Sequence, residues 1–285
     1  MQWISDSNIL IVGLGLMGGS YAKALTRLGY HVTAISRRQS TIDYALEHGI
    51  IEAGSTEPDA ALIGAADAVI FGLYPELFKT WIAENQHLFR PGTLITDVTG
   101  VKSSVVYDIQ AILRKDVEFI AAHPMAGREV YGVENADERI FYGANYIVVP
   151  VESNTPEAIE WCKSLGKLLG CRRVSVLSPE EHDEMIGFVS QLTHCIAVSL
   201  MTCQDNTHLV DYTGDSFRDL TRIARINDAM WSELFLMNRD ALLRQMDTFL
   251  AEFTELRDML AAGDREGMRE KMRLSTERRA LFDKK

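Results

Sequence analysis

Asn8-Ile9-Leu10-Ile11-Val12-Gly13-Leu14-Gly15-Leu16-Met17-Gly18-Gly19-Ser20 is the stretch whose reading decides the fold class. Ile9, Leu10, Ile11 and Val12 are apolar on both faces of an extended chain and mostly β-branched, as a strand covered on both sides must be. A glycine triplet at G-x-G-x-x-G spacing follows at once, and helical periodicity starts near Met17. The motif alone is weak evidence, but its place between a strand and a helix gives it a mechanism. Gly13 permits the tight turn, Gly15 lets backbone approach a pyrophosphate, and Gly18 lets helix and strand pack closely. The helix N-terminus adds free N–H groups and positive dipole, so Leu14, Leu16 and Met17 also count among the cofactor-contacting positions. The competing reading is a glycine turn that holds no ligand.

Outward from this segment, short apolar runs alternate with helical stretches up to about residue 150. The expected strands are Asn8–Val12, His31–Ser36, Ala68–Gly72, Thr93–Asp97, Val117–Ala121 and Asn145–Val149. Helices over Met17–Leu28 and Thr41–His48 end at Gly29 and Gly49, where a C-cap wants positive φ. A helix over Thr155–Leu169 and a strand at Arg173–Val176 complete a doubly wound, Rossmann-type α/β domain, residues 1–177. At Ser178-Pro179-Glu180-Glu181 the pattern becomes a capping box with Pro at the first helical position. Beyond it, helical periodicity recurs over Phe217–Arg225, Met230–Ala262 and Glu266–Phe282. Residues 178–285 are therefore expected to form an all-α domain.

Met185–Gln204 carries no Lys, Arg, Asp or Glu and is long enough to cross a bilayer. Its Ser190, Gln191, Thr193, His194 and Ser199 suit protein surroundings better than lipid, so it reads as a helix buried on all sides. Met185–Cys203 is equally a candidate homodimer seam. The whole chain of 285 residues is 47% hydrophobic and 24% charged, with a formal net charge of −11. No basic stripe is present, which argues against nucleic acid as a partner. Met1–Asn8 shows no leader pattern, and a cytoplasmic protein without a membrane span is expected. The four cysteines show neither Cys-x-x-Cys spacing nor an accompanying His cluster, so buried free thiols are expected and no metal site.

An NAD-selective site places Asp or Glu at the end of the second strand to hold the ribose hydroxyls. Here Ser36-Arg37-Arg38 stands in that place. A hydroxyl and two guanidinium groups suit a 2′-phosphate, so NADP is the expected cofactor, with NAD also possible. Two solvated surface arginines are the alternative. Further along, His123 follows the Val117–Ala121 strand at the edge where open α/β sheets bind ligands, with Pro124 and Gly127 expected to fix it on a turn.

Gly13–Ser20, Asp97-Val98-Thr99-Gly100-Val101-Lys102, His123-Pro124-Met125-Ala126-Gly127, Ser178-Pro179-Glu180-Glu181-His182-Asp183 and Thr221-Arg222-Ile223-Ala224 together resemble, in order, the prephenate and arogenate dehydrogenases. The resemblance covers nearly the whole chain. It implies oxidation of prephenate or arogenate with NAD(P), loss of CO2, and formation of 4-hydroxyphenylpyruvate or tyrosine, without a fused mutase or ACT domain. It also implies that His123 is the base, a role the ordinary imidazole pKa suits. Arg222 is implied to hold a substrate carboxylate, unless it serves an i,i+3 pair with Asp219. A net charge of −11 makes such local cations important for an anionic substrate.

Several positions depart from the family pattern. Gly100 stands where many relatives carry Ser, whose hydroxyl Thr99, Ser103 or water would have to replace. Gln191 and Thr193 replace the first His and the Pro of a Ser-His-Leu-Pro-His motif whose second His is His194. His194 has three candidate partners: substrate, a helix carbonyl, or a second subunit. Arg128, often Thr in relatives, could add an anion contact. Lys102 is a further substrate-binding candidate, and His194 and Lys102 are the alternatives to His123 as the base.

Other dehydrogenases that join a dinucleotide domain to a helical one usually need a catalytic Lys in the helical half. Here that half has no Lys before Lys271. A catalytically silent NADP sensor is the reading from another class, and His123, His194 and Arg222 together argue against it.

Overall fold

The computed structural model describes residues 6–205 and 208–282. Most of Met1–Asn8, read above for a leader, lies outside the described residues. Six parallel strands, β1 (Asn8–Val12), β2 (His31–Ile35), β3 (Ala53–Ser55), β4 (Ala68–Phe71), β5 (Leu94–Asp97) and β6 (Glu118–Phe119), form a sheet in the order β3-β2-β1-β4-β5-β6. The crossovers run through α1 (Leu16–Arg27), α2 (Gln39–Glu47), α3 (Ala60–Ala65), α4 (Pro75–Asn85) and α5 (Ser103–Ile112). Alternate residues of β1 serve opposite faces: Ile9 and Ile11 enter one apolar core, Leu10 and Val12 the other. The strand order reverses beside β1, between β2 and β4, which is where such sheets open a ligand crevice. β3 was not anticipated, because Ala53-Gly54-Ser55 is too short and too little apolar to stand out.

The expected Val117–Ala121 strand is divided. The chain leaves the parallel sheet after Phe119, and β7 (Ala121–Pro124) pairs antiparallel with β8 (Asn145–Val149), which pairs parallel with β9 (Arg173–Val176). His123 therefore lies within a strand of a second sheet, not on the expected turn. Its backbone is held by the ladder against Ile147. α6 (Pro156–Leu168) packs on this sheet through Trp161, Cys162 and Leu165.

The capping box at Ser178 is present and opens α7 (Pro179–Ile186). A π-helical segment, Gly187–Leu192, leads without a break into α8 (Thr193–Thr202). The whole rod, Pro179–Thr202, is long and apolar enough to cross a membrane by length and composition alone. It is not buried on all sides as expected. Gly187, Gln191, Leu192 and Ala197 face inward, while Phe188 is 57% and Val189 44% exposed, because nothing in a single chain covers that face. The thiols are free, but only Cys162 is buried and Cys203 is exposed, which corrects the expectation for the other three.

α9 (Asp215–Thr221), a 3₁₀ turn over Arg222–Ala224, and α10 (Asp228–Met237) follow. The expected long helix from Met230 breaks at Asn238. The Asn238 amide donates to Asp183 O (2.8 Å) and to Gln191 Oε1 (2.7 Å), which ties the break to α7 and the π segment. Compactness divides the chain into residues 1–238 and 239–285. Helices α7 to α10 thus belong to the same unit as the sheets, with Leu234 of α10 in one core with Leu10, Phe71 and Val105. The other unit is a hairpin of α11 (Arg239–Ala262) and α12 (Arg265–Ala280), turned at Gly263 with φ +68° and joined by Lys271 to Glu252 and Glu255.

Candidate active site

The turn after β1 is built from backbone. Gly13 has φ +96°, its N–H donates to Ile35 O (2.9 Å), and a Cβ there would lie 2.6 Å from Gly72 O. A Cβ on Gly18 would overlap Gly13 O, so α1 starts hard against the turn. Gly15 caps α1 with no side-chain acceptor, no acidic residue occupies the first turn, and nothing lies within 4 Å of where its Cβ would be. Free helical N–H groups behind an open approach fit a dinucleotide pyrophosphate. The Leu14 side chain is buried in the core and Met17 packs against the same cluster, so both positions face the crevice through backbone.

Ser36 is fixed through its N–H to Ser55 O (3.0 Å). Arg37 and Arg38 are exposed, and among the described residues neither forms an ion pair. Both guanidinium groups at the end of β2 are free to meet an anion.

At the end of β5 the site is made of buried charge. Asp97 and Lys102 are both fully buried, with Lys102 Nζ donating to Asp97 Oδ2 (2.7 Å) and to Thr99 Oγ1 (3.1 Å). The Thr99 N–H and hydroxyl also reach Asp97 Oδ2, and Ala122 N–H donates to Asp97 Oδ1 (3.1 Å). Asp97 thereby clamps β7 one residue before His123. This corrects the placing of Thr99 and Lys102 among substrate contacts: both are sealed inside, and burial lowers the Lys102 pKa against the pull of Asp97. The Thr99 hydroxyl, being so engaged, is not the substitute for a Ser at position 100. A Cβ on Gly100 would meet Leu234 at 3.4 Å, an ordinary contact.

His123 is partly buried, with Nδ1 2.9 Å from His182 Nε2. Its pKa is held well below the ordinary histidine value by burial, with His182 and Lys102 acting in the same direction. His182 is fully buried and turns Nδ1 to Asp183 Oδ1 (2.8 Å). Asp183 accepts from Lys102 N–H and Ser103 N–H, both at 2.8 Å, and so caps α5 from α7. Ser103 enters the site through this backbone contact.

A second group comes from the helices. His194 Nδ1 donates to Ser190 O (2.9 Å), the helix-carbonyl alternative, and the ring stacks on Trp231 with centroids 3.7 Å apart. Burial lowers its pKa despite that hydrogen bond. Arg222 pairs with Glu129 (2.5 Å), whereas Asp219 is exposed and does not form the i,i+3 pair with it. Arg128 donates to Asn135 O and points along its own loop. Gln191 is buried and structural, donating to Leu234 O (3.2 Å).

Trp231, Glu129, Asp97, and the roles of His182 and Asp183, were missed by sequence reading. The one available signal was charge: Glu129 is a carboxylate beside Arg128 on the loop that follows His123.

Residues 21–175 match the family described as prephenate dehydrogenase, nucleotide-binding domain, and residues 178–274 the prephenate dehydrogenase dimerization domain. The chain is 32% identical over 281 residues to the prephenate dehydrogenase of Bacillus subtilis, covering 94% of this chain and 74% of the relative. It is 27% identical over 265 residues to the cyclohexadienyl dehydrogenase of Zymomonas mobilis, covering 90% and 89%. The crystal structure of Aquifex aeolicus prephenate dehydrogenase in complex with hydroxyphenyl propionate and NAD+ superposes with a TM-score of 0.90 at 29% identity, over 99% of this chain and 100% of that one. A glycine-built dinucleotide crevice, a histidine of β7 held against the buried His182–Asp183 pair, and matches over both halves place this chain in the prephenate dehydrogenase family, as an oxidoreductase that uses a nicotinamide dinucleotide.

Proposed function

We propose that this protein oxidatively decarboxylates prephenate or arogenate in tyrosine biosynthesis, with NADP as its preferred cofactor. The carrying observation is His123: its Nδ1 is taken up by His182, its Nε2 is unused by the protein among the described residues, and burial holds its pKa well below the ordinary histidine value. That nitrogen takes the ring hydroxyl proton as the C–H hydride departs. A bound nicotinamide dinucleotide supplies the hydride acceptor. Loss of CO2 needs no further group, because the ring gains aromaticity as the carboxylate leaves.

Arg222 anchors a substrate carboxylate, and its present partner Glu129 marks it as a cation available for exchange at the surface. Planar, bidentate guanidinium geometry suits that task. His194, with Nε2 unused among the described residues beside Trp231 and Arg222, completes the substrate side. The exposed Ser36-Arg37-Arg38 segment supports NADP. We assign residues 1–177 to the cofactor and residues 178–285 to substrate and dimerisation, a division supported by family matches that meet between residues 175 and 178. The uncovered Phe188–Val189 face and the dimerization-domain match support a homodimer.

Turnover of prephenate and arogenate, each with NAD and NADP, tests the reading. NADP with at least one of the two substrates should give the highest kcat/KM. Equal or better use of NAD would remove the cofactor assignment, and turnover of neither substrate would remove the function.

A further inference from the structure

A histidine acts as a base only through the nitrogen that carries no proton, and its partners decide which nitrogen that is. Here the decision can be traced back from Asp183. Burial pushes the Asp183 carboxyl up, but the hydrogen bonds from His182 and Ser103 outweigh it and keep it ionised below the ordinary range. An ionised carboxylate has no proton to give, so His182 Nδ1 must donate to it. Burial lowers the His182 pKa, although Asp183 and its hydrogen bond pull the other way. Neutral His182 carries one proton, at Nδ1, which leaves Nε2 as an acceptor. His123 Nδ1, 2.9 Å away, must then donate to it. The lone pair of His123 is thus confined to Nε2.

We propose that His182 and Asp183 are positioning residues for the reaction: they hold His123 as the Nδ1–H tautomer, aim its Nε2 outward, and stabilise the imidazolium that forms there. This rests on the reading of His123 as the base. The hydroxyl proton moves to Nε2, the Nδ1 proton stays in its bond to His182, and the C–H electron pair leaves as hydride to the nicotinamide. The charged groups facing the two rings are the Lys102 ammonium and the Asp97 and Asp183 carboxylates. With both rings neutral this cluster has one negative charge in excess, and proton capture by His123 cancels it. A carboxylate bonded directly to the base would raise its pKa; one placed beyond a second ring orients the base while burial keeps it neutral.

His182→Leu removes the acceptor, whereas His182→Gln keeps a carbonyl toward His123 and an amide N–H toward Asp183. Both are assayed in the full chain with prephenate, arogenate and NAD(P). His182→Leu should lower kcat about 10-fold to 10³-fold with KM changed by less than about 3-fold, and His182→Gln should recover most of that loss. Independently of activity, ¹⁵N NMR of histidine-labelled wild-type protein should show His123 protonated at Nδ1, a pattern retained in His182→Gln and lost in His182→Leu. A His123 proton on Nε2 in the wild type overturns the proposal, even if the Leu variant fails to fold. His123→Asn separates the two readings. If it remains active, the base assignment falls; if it is inactive while His182→Leu turns over normally, only the positioning role falls.

Discussion

The two ends of this site are made of different material. The cofactor crevice is backbone: Gly13, Gly18 and Gly72 bring turns and a helix end so close that side chains would collide, while Gly15 leaves the approach to the helix end open. The end around His123 is side chain: Asp97, Lys102, His182 and Asp183 are buried polar groups that satisfy one another beside it. A backbone site tolerates no added atom, whereas a buried polar network tolerates no missing partner. The first kind holds a ligand common to many enzymes, and the second sets the chemistry.

The largest effect should come at the side-chain end. His123→Asn should lower kcat about 10²-fold to 10⁴-fold and leave KM for the substrate nearly unchanged. Steady-state kinetics that showed near wild-type turnover would break the contrast at its centre. Next, replacing Arg37 and Arg38 together by Ala should weaken NADP binding by about 1.5–3 kcal/mol and leave NAD binding nearly unchanged, as titration of each cofactor would show.

The glycines then sharpen the comparison within the backbone end. Gly18→Ala forces a methyl group into Gly13 O and should destabilise the fold itself by about 1–3 kcal/mol in denaturant unfolding. Gly15→Ala meets no protein atom, so stability should stay within about 0.5 kcal/mol while the dinucleotide Kd rises at least about 10-fold. Equal effects of the two changes on stability would contradict the geometry.

The smallest effect is electrostatic. His123, His182 and His194 all have depressed pKa values in the folded state, so below pH ~6.5 the unfolded chain binds more protons than the native one. Their contribution to stability is complete above that pH and is lost as pH falls. Melting temperatures measured between pH 7.5 and 5 should therefore decline, and less steeply in His123→Asn. For the same reason, the acid limb of kcat/KM should lie below the ordinary histidine value and disappear in that variant.

This contrast also governs what the sequence could reveal. Gly13 to Gly18 work through local spacing, so the strand, turn, helix and crevice are readable within a few residues. Asp183 caps α5 across 80 residues of chain, and its bonds to Lys102 and Ser103 have no periodicity or spacing to betray them. Lys102 was visible as a charged residue, but nothing local said that its ammonium would be sealed against Asp97. β7 was misread for a related reason. Val117–Ala121 is continuous in hydrophobicity, and the change of sheet at Ile120 is set by where Asn145–Val149 lies.

The wide turn at Gly187–Leu192 is, finally, a matter of angle. Each residue of a regular α-helix advances about 100°, so His182 and His194, twelve residues apart, would point about 120° away from each other on an uninterrupted rod. A π turn takes up about one extra residue and reduces that difference to about 20°. The histidine bonded to His123 and the histidine stacked on Trp231 can therefore look toward the same side of one helix, and deleting a single residue between them would turn one of the two away.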